Sequence, residues 1–293
     1  MRVGISLLAC NRADEPRHYR AMRYAIASLL DSDLLRYDWR IQVVDNGSAD
    51  GVTADFLQGL ADRWERIDVR FAGENLGIAH GRNLAYQLLA ESHAPDVVVE
   101  VHTDHLFPTV WLTPLIKALE ADRTLGIVGP ALLSGRSLGW ALEQVPLTYD
   151  ETFKEARALV SAAAENHRQP GRVVPGLTHP AAIRWAMVEA LNERDDEGRL
   201  CLYDPRMPGK QNFEDTELLY RAHMKNWKAA ICFGSVVFHH YTFSRTQVVS
   251  DHHADYKANR VYCQRKHGAG FEEYQAELGA WMDSAYSSEG ARV

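Results

Sequence analysis

The sequence of 293 residues is poor in cysteine, has no excess of positive charge and contains no long hydrophobic run. Its four cysteines are widely spaced and form no CxxC pair, which is typical of scattered, reduced thiols. Lysine and arginine total 32 against 39 for aspartate and glutamate, and no basic stripe alternates with aromatic residues. Nucleic acid is therefore not expected as the main partner. No apolar run approaches the ~18 residues that a transmembrane segment needs.

Two kinds of motif are also missing. Residues 1–10 are apolar, but Asn11, Arg12 and Asp14 follow without a small-residue cleavage site, which favours a first buried strand over a signal peptide. No G-x-x-x-x-G-K-[ST] motif occurs, which excludes a P-loop, and no G-x-G-x-x-G motif supports a dinucleotide fold. We expect a cytoplasmic protein, and peripheral association with a membrane stays open.

The first half alternates short apolar runs with amphipathic stretches. Strand-like runs occupy residues 3–9, 41–44, 67–71, 96–101 and 125–128, and helical spacing occupies 19–30, 56–64, 78–90 and 111–119. This alternation predicts an α/β fold with a mainly parallel, Rossmann-like sheet flanked by helices. Ligands of such sheets bind beyond the carboxyl ends of the strands.

The second half is less regular. It predicts helices over residues 151–166, 181–192 and 213–227, a last strand over 229–238, and polar helical sequence from 241 onward. We expect one domain over 1–240 and a C-terminal helical extension over 241–293.

Polar residues follow the second and third strands. Asp45 begins the segment DNGSADG. One interpretation is a simple turn, because Asn-Gly and Asp-Gly are typical turn dipeptides. The other is that Asp45, at the end of the strand, accepts a hydrogen bond from a ligand. Asn75 and Gly77 precede a helix whose free N–H groups could bind an anion, and Arg82 could add a fork for phosphate oxygens. A solvated helix start is the alternative for these three residues.

The fourth strand ends in His102-Thr103-Asp104-His105. A carboxylate directly after a buried strand must face water, a partner or a metal, and flanking histidines favour a divalent metal at Asp104. His239 and His240 end the last strand, where neighbouring side chains point to opposite faces. Only one of them can therefore join Asp104.

Glu214, Asp215 and Glu217 open the helix predicted after Asn212. Acidic residues stabilise the first turn of a helix, and a carboxylate that faces a cleft can also act as a general base. The segment GRSLG around Ser137 matches the G-x-S-x-G motif of serine hydrolases, but the strand before it is interrupted by Gly129-Pro130 in the predicted pattern.

Taken in order, these segments resemble the GT-A-fold glycosyltransferases of family 2, particularly the rhamnosyltransferase-like branch. The resemblance covers roughly residues 1–245, and only Asp104 is acidic in the slot of the D-x-D motif. The matching segments are ACNR at 9–12, VVDNGSADG at 43–51, ENLG at 74–77, GRN at 81–83, HTD at 102–104, GIVGP at 126–130, YDPR at 203–206, FEDTEL at 213–218 and VFH at 237–239.

The resemblance implies an inverting transfer of a sugar from a nucleoside-diphosphate-sugar donor to an acceptor hydroxyl, with Asp215 as general base and Glu214 as its alternative. It implies Mn²⁺ or Mg²⁺ bound by Asp104 and His239. The residues implied to bind the donor nucleotide are Ala9, Asn11, Arg12, Asp45, Asn75, Gly77, Arg82 and Thr103.

Alternatives from other classes remain open: a nucleotidyltransferase, a non-catalytic nucleotide-sugar binding module, or a serine hydrolase at Ser137. The acceptor is left undetermined among a glycan, a natural product, a lipid-linked molecule and a peptide.

Overall fold

The structure, a computed structural model, describes residues 1–11, 16–136, 138–139, 141–240 and 252–286. The strands are β1 (Arg2–Ala9), β2 (Asp38–Asp45), β3 (Ile67–Phe71), β4 (Val97–His102), β5 (His105–Leu106), β6 (Leu125–Ser134), β7 (Val173–Pro175), β8 (Ala181–Arg184), β9 (Glu193–Arg194), β10 (Leu200–Cys201) and β11 (Lys228–His239). The helices are α1 (Pro16–Leu30), a 3-10 helix (Asp33–Arg36), α2 (Gly51–Arg63), α3 (Ile78–Ser92), α4 (Leu112–Ala121), α5 (Phe153–His167), α6 (Trp185–Leu191), α7 (Glu214–Met224), α8 (His252–His267) and α9 (Ala269–Tyr286).

The predicted α/β fold class is confirmed, with a mixed sheet. Within the described residues, strands pair in the order β3-β2-β1-β4-β8-β6-β11-β5, and β7 pairs with β11. The ladders that join β3, β2, β1 and β4 are parallel, as is β6 with β11. β8 runs antiparallel to both of its neighbours, and β5 and β7 run antiparallel to β11.

Two predicted elements were wrong. Residues 181–184 form β8 between β4 and β6, and only residues 185–191 of the predicted helix over 181–192 are helical. Pairing on both edges outweighs the weak helical preference of this short apolar segment. The strand predicted to stop before Gly129-Pro130 instead continues to Ser134, and Pro130 lies opposite Cys232 of β11.

The register of the parallel strands brings their carboxyl ends level. Ala9, the last residue of β1, pairs with Asp45, the last residue of β2. Leu8 pairs with His102, the last residue of β4. The segments after β1, β2 and β4 therefore start side by side at one edge of the sheet.

Apolar side chains cover both faces of the sheet. One core cluster joins the strands to α1, α2 and α4, and a second joins them to α3, α6 and α7. Cys263 of α8 and Phe271 and Tyr274 of α9 belong to the second cluster. The two C-terminal helices thus share a core with α7, whose first turn holds the acidic segment noted above.

Candidate active site

The turns that follow β1 and β2 are interlocked by hydrogen bonds. Asn46 N donates to Ala9 O at 2.7 Å, and Ala49 N donates to Asn11 O at 2.9 Å. In the other direction, Asn11 N donates to Ser48 Oγ at 2.9 Å. Ala9 and Asn11, both predicted to bind the donor, therefore lie against the turn that follows β2.

Asp45 is buried at the end of β2. Its Oδ1 accepts a hydrogen bond from Ser48 N at 3.2 Å. Burial raises the pKa of the Asp45 carboxyl, and the hydrogen bonds from Ser48 lower it in part. This oriented acceptor lies next to the end of β1, where it pairs with Ala9.

Asn46 connects that turn to the loop before α3. Its Nδ2 donates to Asn75 Oδ1 at 3.2 Å and to Gly77 O at 3.3 Å, and its Oδ1 accepts from Leu76 N at 2.9 Å. Asn75 Oδ1 also accepts from Gly77 N at 2.9 Å. Asn75 and Gly77 are thereby held beside the turn that follows β2.

Arg82 has a role that differs from the predicted phosphate contact. Only 2% of it is exposed, and its guanidinium donates to Ser6 O at 2.6 Å and to Val101 O at 2.9 Å. These carbonyls belong to the neighbouring strands β1 and β4, so Arg82 joins two strands. A buried guanidinium needs such partners, and the sequence does not reveal them.

Asp104 and His239 lie together, as predicted. Asp104 follows β4 beside the half-buried Thr103, and its Oδ1 is 3.1 Å from His239 Nε2. Its Oδ2 is buried without a hydrogen-bond partner in the described part of the chain. Burial would raise the pKa of Asp104, but the charge and hydrogen bond of His239 outweigh it and lower the pKa.

Two more imidazoles surround this pair. His105 is 4.3 Å from His239 and 5.0 Å from His102 between ring centroids. Burial, reinforced by neighbouring imidazoles, lowers the pKa of His102 and His105 well below the usual value, so both are neutral. His102 N donates to His105 Nδ1 at 3.1 Å, so the proton of the neutral His105 ring is on Nε2 and neither of its nitrogens offers a free lone pair.

The residues present fit a divalent cation. Asp104 has a buried carboxylate oxygen with no hydrogen-bond partner among the described residues, and His239 supplies an imidazole next to it. Carboxylate and imidazole suit Mn²⁺ and neighbouring transition metals. His240 points elsewhere, because its Nε2 is 3.1 Å from Leu147 O and its ring packs against Tyr149.

Asp215 and Glu214 lie in the first turn of α7 but in different surroundings. The Asp215 side chain is 38% exposed, and its Oδ2 is 3.2 Å from His179 Nε2. Burial opposes ionisation of Asp215, but the charge and hydrogen bond of His179 lower its pKa. Glu214 is buried with no partner for Oε2 among the described residues, and burial together with the charge of Asp215 raises its pKa to about 8. At neutral pH Asp215 is therefore the ionised acid of the two.

The sequence reasoning missed His179 and a buried group around Glu100. Tyr86 donates a hydrogen bond to Glu100 at 2.7 Å, and the Tyr203 hydroxyl, with one proton to donate, lies 2.8 and 2.7 Å from the two carboxylate oxygens of Glu100. Tyr203 OH is also 3.4 Å from Asp215 Oδ1. An acid inside the apolar strand VVVEV was a usable signal, because a buried carboxylate needs partners. His179 lies in a loop without a motif, and no local pattern indicates it.

A row of imidazoles connects the acid of α7 to the Asp104 pair. His179 contacts Asp215 and stacks on His102, with ring centroids 5.0 Å apart. His102 in turn contacts His239 at 5.3 Å between centroids. A candidate base and a candidate metal site therefore line one continuous polar edge of the sheet.

Some predicted residues lie outside the described part of the chain. These are Arg12, predicted to contact the donor, and Ser137 of the hydrolase alternative. A serine nucleophile elbow needs a helix directly after it, and the described residues between β6 and α5 form none. No helix among the described residues has the length and apolar character to cross a bilayer.

Comparison with known proteins gives one family and several similar folds. The profile of Glycosyl transferase family 2 matches residues 9–157, just over half of the chain. The match includes Asp45, Asn75 and Asp104 and ends before Asp215 and His239. No curated protein matches the sequence.

Solved structures with a similar fold are glycosyltransferases of low sequence identity. GalNAc-T7 with UDP, GalNAc and Mn²⁺ has a TM-score of 0.64 at 14% identity, over 96% of this chain and 51% of that one. S. aureus TarS 1-349 with UDP has a TM-score of 0.52 at 15% identity, over 81% and 60%. The mannosyltransferase PcManGT from Pyrobaculum calidifontis with GDP-Man and Mn²⁺ has 0.51 at 14% identity, over 98% and 75%.

The chain spans about half the length of GalNAc-T7. The likeness to these structures concerns the fold, a GT-A arrangement of a central sheet flanked by helices. Because the family profile covers more than half of the residues, the chain belongs to glycosyl transferase family 2.

Proposed function

We propose that this protein transfers a sugar from a nucleoside-diphosphate-sugar donor to an acceptor hydroxyl and inverts the anomeric centre. The observation that carries the proposal is the half-buried, ionised Asp215, joined by His179 and His102 to the Asp104–His239 pair. Family membership and neighbours bound to UDP or GDP-Man support the donor class.

The donor nucleoside is proposed to bind at the interlocked turns. Ala9 and Asn11 would contact the nucleoside from the end of β1, and Asp45 would accept a hydrogen bond from its base or ribose. Asn75 and Gly77 would contact the nucleoside from the loop before α3. Thr103 would contact the donor where the turn after β4 begins. Arg82 would act by holding β1 and β4 together.

Asp104 and His239 are proposed as the metal ligands. A divalent cation bound there would neutralise the charge that grows on the diphosphate leaving group. We expect Mn²⁺ to serve better than Mg²⁺, because a site with an imidazole ligand favours the softer ion. His102 and His105 would orient the ligands, the latter through its fixed tautomer.

Asp215 is proposed as the general base. The acceptor oxygen attacks the anomeric carbon, the bond from that carbon to the diphosphate oxygen breaks, and Asp215 takes the proton of the acceptor hydroxyl. His179 would keep Asp215 ionised, while the raised pKa of Glu214 makes it an acid that is protonated at neutral pH.

The test is thermal stabilisation of the protein by UDP, GDP, dTDP, ADP and CDP, each with Mn²⁺, Mg²⁺ or EDTA. A ligand that binds only the folded state adds about 2.7 kcal/mol at a hundredfold excess over Kd. We expect one base to raise the melting temperature, and only with metal. Stabilisation by a nucleotide without metal would show that Asp104 and His239 do not act as metal ligands in donor binding. Absence of stabilisation by every nucleotide would contradict the proposal.

Product analysis with the matching nucleotide sugar separates the remaining alternatives. A transferase releases the nucleoside diphosphate, whereas a nucleotidyltransferase forms or consumes pyrophosphate. A binding module would bind the donor and release neither product. Slow hydrolysis of the donor to free sugar and nucleoside diphosphate is a convenient assay while the acceptor is being sought.

A further inference from the structure

One buried side chain of α8 holds the segment that leads into α7. Asn259 is 0% exposed, and its Oδ1 accepts a hydrogen bond from Gly209 N at 2.6 Å. Its Nδ2 donates to Gln211 O at 2.9 Å and to Asn212 O at 2.8 Å. A single amide thus binds the backbone of Gly209, Gln211 and Asn212, and no other residue type offers both its donors and its acceptor at this length.

The segment that Asn259 holds has an unusual backbone. Asn212 and Phe213 both have a φ of 68°. This value lies in the left-handed region, which residues other than glycine rarely adopt. Glu214 and Asp215 follow directly. This conformation therefore sets where α7 begins and where Asp215 points, and it persists only if neighbouring groups hold it.

The same segment also supports the loop before α3. Lys210 O accepts from Ile78 N, the first residue of α3, at 2.7 Å, and Lys210 Nζ donates to Asn75 O at 2.7 Å. Gly77 lies so close that an added Cβ would be 2.9 Å from Lys210 Cα. A displacement of residues 209–213 would therefore move both the proposed base and one wall of the proposed donor site.

We infer that Asn259 is a positioning residue that sets Asp215 and the Asn75–Gly77 loop relative to each other through residues 209–213. The inference rests on the proposed function, because it uses the roles assigned there. In the described part of the chain, the hydrogen bonds of Asn259 go to residues 209–212 and not to the turns after β1 and β2 or to the Asp104–His239 pair.

Docking of α8 does not depend on Asn259 alone. Lys266 Nζ lies 2.8 Å from Glu193, 2.7 Å from Asp204 and 2.9 Å from Glu217, and Cys263 is buried in the shared core. These contacts would keep α8 in place when the amide is removed. An Asn259→Ala variant is therefore expected to fold, with the change confined to the held segment and its neighbours.

The experiment compares Asn259→Ala with Arg260→Ala, whose side chain is exposed at the next position. Arg260→Ala should resemble the wild type. Asn259→Ala should lower kcat for donor hydrolysis roughly 10²-fold, since misplacement of a catalytic group by about 1 Å has that effect. It should also raise the Kd of the donor nucleotide about tenfold. A loss of rate that matches the loss of folded protein, with Kd unchanged, would overturn the inference.

Hydrogen exchange gives a readout that needs no activity. In Asn259→Ala, peptides covering 209–217 and 75–80 should exchange faster, while peptides from α5 keep the wild-type rate. Unchanged exchange at 209–217, or a uniform increase throughout the chain, would overturn the inference. If the wild type binds no nucleotide, the proposed function fails while exchange still decides whether Asn259 couples the two segments.

A second variant attacks the same contact from the other side. A Cβ at Gly209 would be 2.9 Å from Asn259 Oδ1 and 2.9 Å from Asp255 Cα, so Gly209→Ala must separate the segment from α8. It should reproduce the kinetic and exchange pattern of Asn259→Ala. If Asn259→Ala does not fold, Gly209→Ala decides by the same criteria.

Discussion

His179 Nε2 lies 3.2 Å from Asp215 Oδ2, and this contact gives Asp215 a pKa shift opposite to that of the adjacent Glu214. The pKa of Asp215 is lowered because the imidazole outweighs the effect of burial, whereas burial raises the pKa of Glu214 to about 8. Neighbouring acids with pKa values shifted in opposite directions are suited to different tasks. The one that can accept a proton at neutral pH is Asp215.

Replacing each acid by its amide tests this assignment. Asp215→Asn should lower kcat by roughly 10²–10⁴-fold, the usual contribution of a general base, with the Kd of the nucleotide nearly unchanged. Glu214→Gln resembles the protonated acid that is present at neutral pH, so its kcat should stay within about tenfold of the wild type. Steady-state kinetics of donor hydrolysis measure both. Similar losses in the two variants, or near-normal turnover of Asp215→Asn, would show that the base is assigned wrongly.

The pH profile tests the role of His179. Because His179 lowers the pKa of Asp215 against the effect of burial, His179→Gln should let that pKa rise. Asp215 would then be protonated over a wider range of acidic pH. The acidic limb of kcat/KM should move to higher pH, and the rate should approach the wild-type value above it. An acidic limb at the same pH as in the wild type would show that His179 does not lower the pKa of Asp215.

Adjacent histidines offer a matched test of the metal site. His239 contacts Asp104, whereas His240, directly after β11, contacts the backbone oxygen of Leu147. Asp104→Asn and His239→Gln should abolish the part of the nucleotide-induced thermal stabilisation that EDTA removes. His240→Gln should retain it. If metal-dependent stabilisation persists in His239→Gln, the metal binds without His239 and the assigned metal site is wrong.

The strand ends could be predicted from the sequence because the pattern there is local. Alternating apolar runs located β1, β2 and β4, and the parallel register that aligns them follows from the fold class, so Asp45 and Asp104 fall at one edge. His179 and Asn259 could not be predicted in this way. Their roles depend on contacts with Asp215 and with residues 209–212, which are 36 and about 50 residues away along the chain.

For Arg82 the local sequence pattern suggested a contact, and the structure shows different ones. Its spacing after Gly77 suggested a phosphate contact, since the residue lies in the first turns of α3. The helix, however, packs this face against the sheet, and the guanidinium reaches the carbonyls of Ser6 and Val101. A helix start in the sequence indicates that a site exists nearby, but the rotation of the helix decides which side chains line it.

Two glycines with similar φ values differ in what surrounds them. Gly77 has a φ of 86° and Gly73 a φ of 79°. An added Cβ at Gly77 would be 2.9 Å from Lys210 Cα and O, whereas no atom of the described residues lies within 4 Å of one at Gly73. Gly73→Ala should cost about 1 kcal/mol of unfolding free energy from the left-handed conformation alone.

Gly77→Ala should cost about 1–3 kcal/mol more, because the Lys210 backbone must also move and because Gly77, with a ψ of 170°, has a conformation almost restricted to glycine. It should further weaken nucleotide binding, while Gly73→Ala should leave binding unchanged. Urea denaturation and nucleotide titration of both variants measure these effects. Equal costs in the two variants would mean that the contact with Lys210 is unimportant.

Acid stability reports on the ionic cluster that docks α8. The carboxylate of Glu217 is 0% exposed and lies 2.9 Å from Lys266 Nζ and 3.0 Å from His267 Nε2. Burial opposes its ionisation, but the hydrogen bond from His267 and the charges of Arg221 and Lys266 lower its pKa to about 2. A depressed pKa stabilises the folded state above the unfolded value of 4.5 and ceases to do so as pH falls toward 2.

Glu217→Gln removes this contribution and leaves the positive groups short of one partner. At pH 7 the variant should lose about 3 kcal/mol of unfolding free energy, a value at the lower end for a buried ion pair because Lys266 keeps Glu193 and Asp204. The difference from the wild type should shrink as pH falls from 4.5 toward 2, since the wild-type carboxylate is then protonated as well. Urea denaturation at a series of pH values measures it, with the exposed Glu277→Gln as a control expected within about 0.5 kcal/mol of the wild type. A difference that stays constant down to the lowest pH would show that Glu217 stabilises the protein by packing, without its charge.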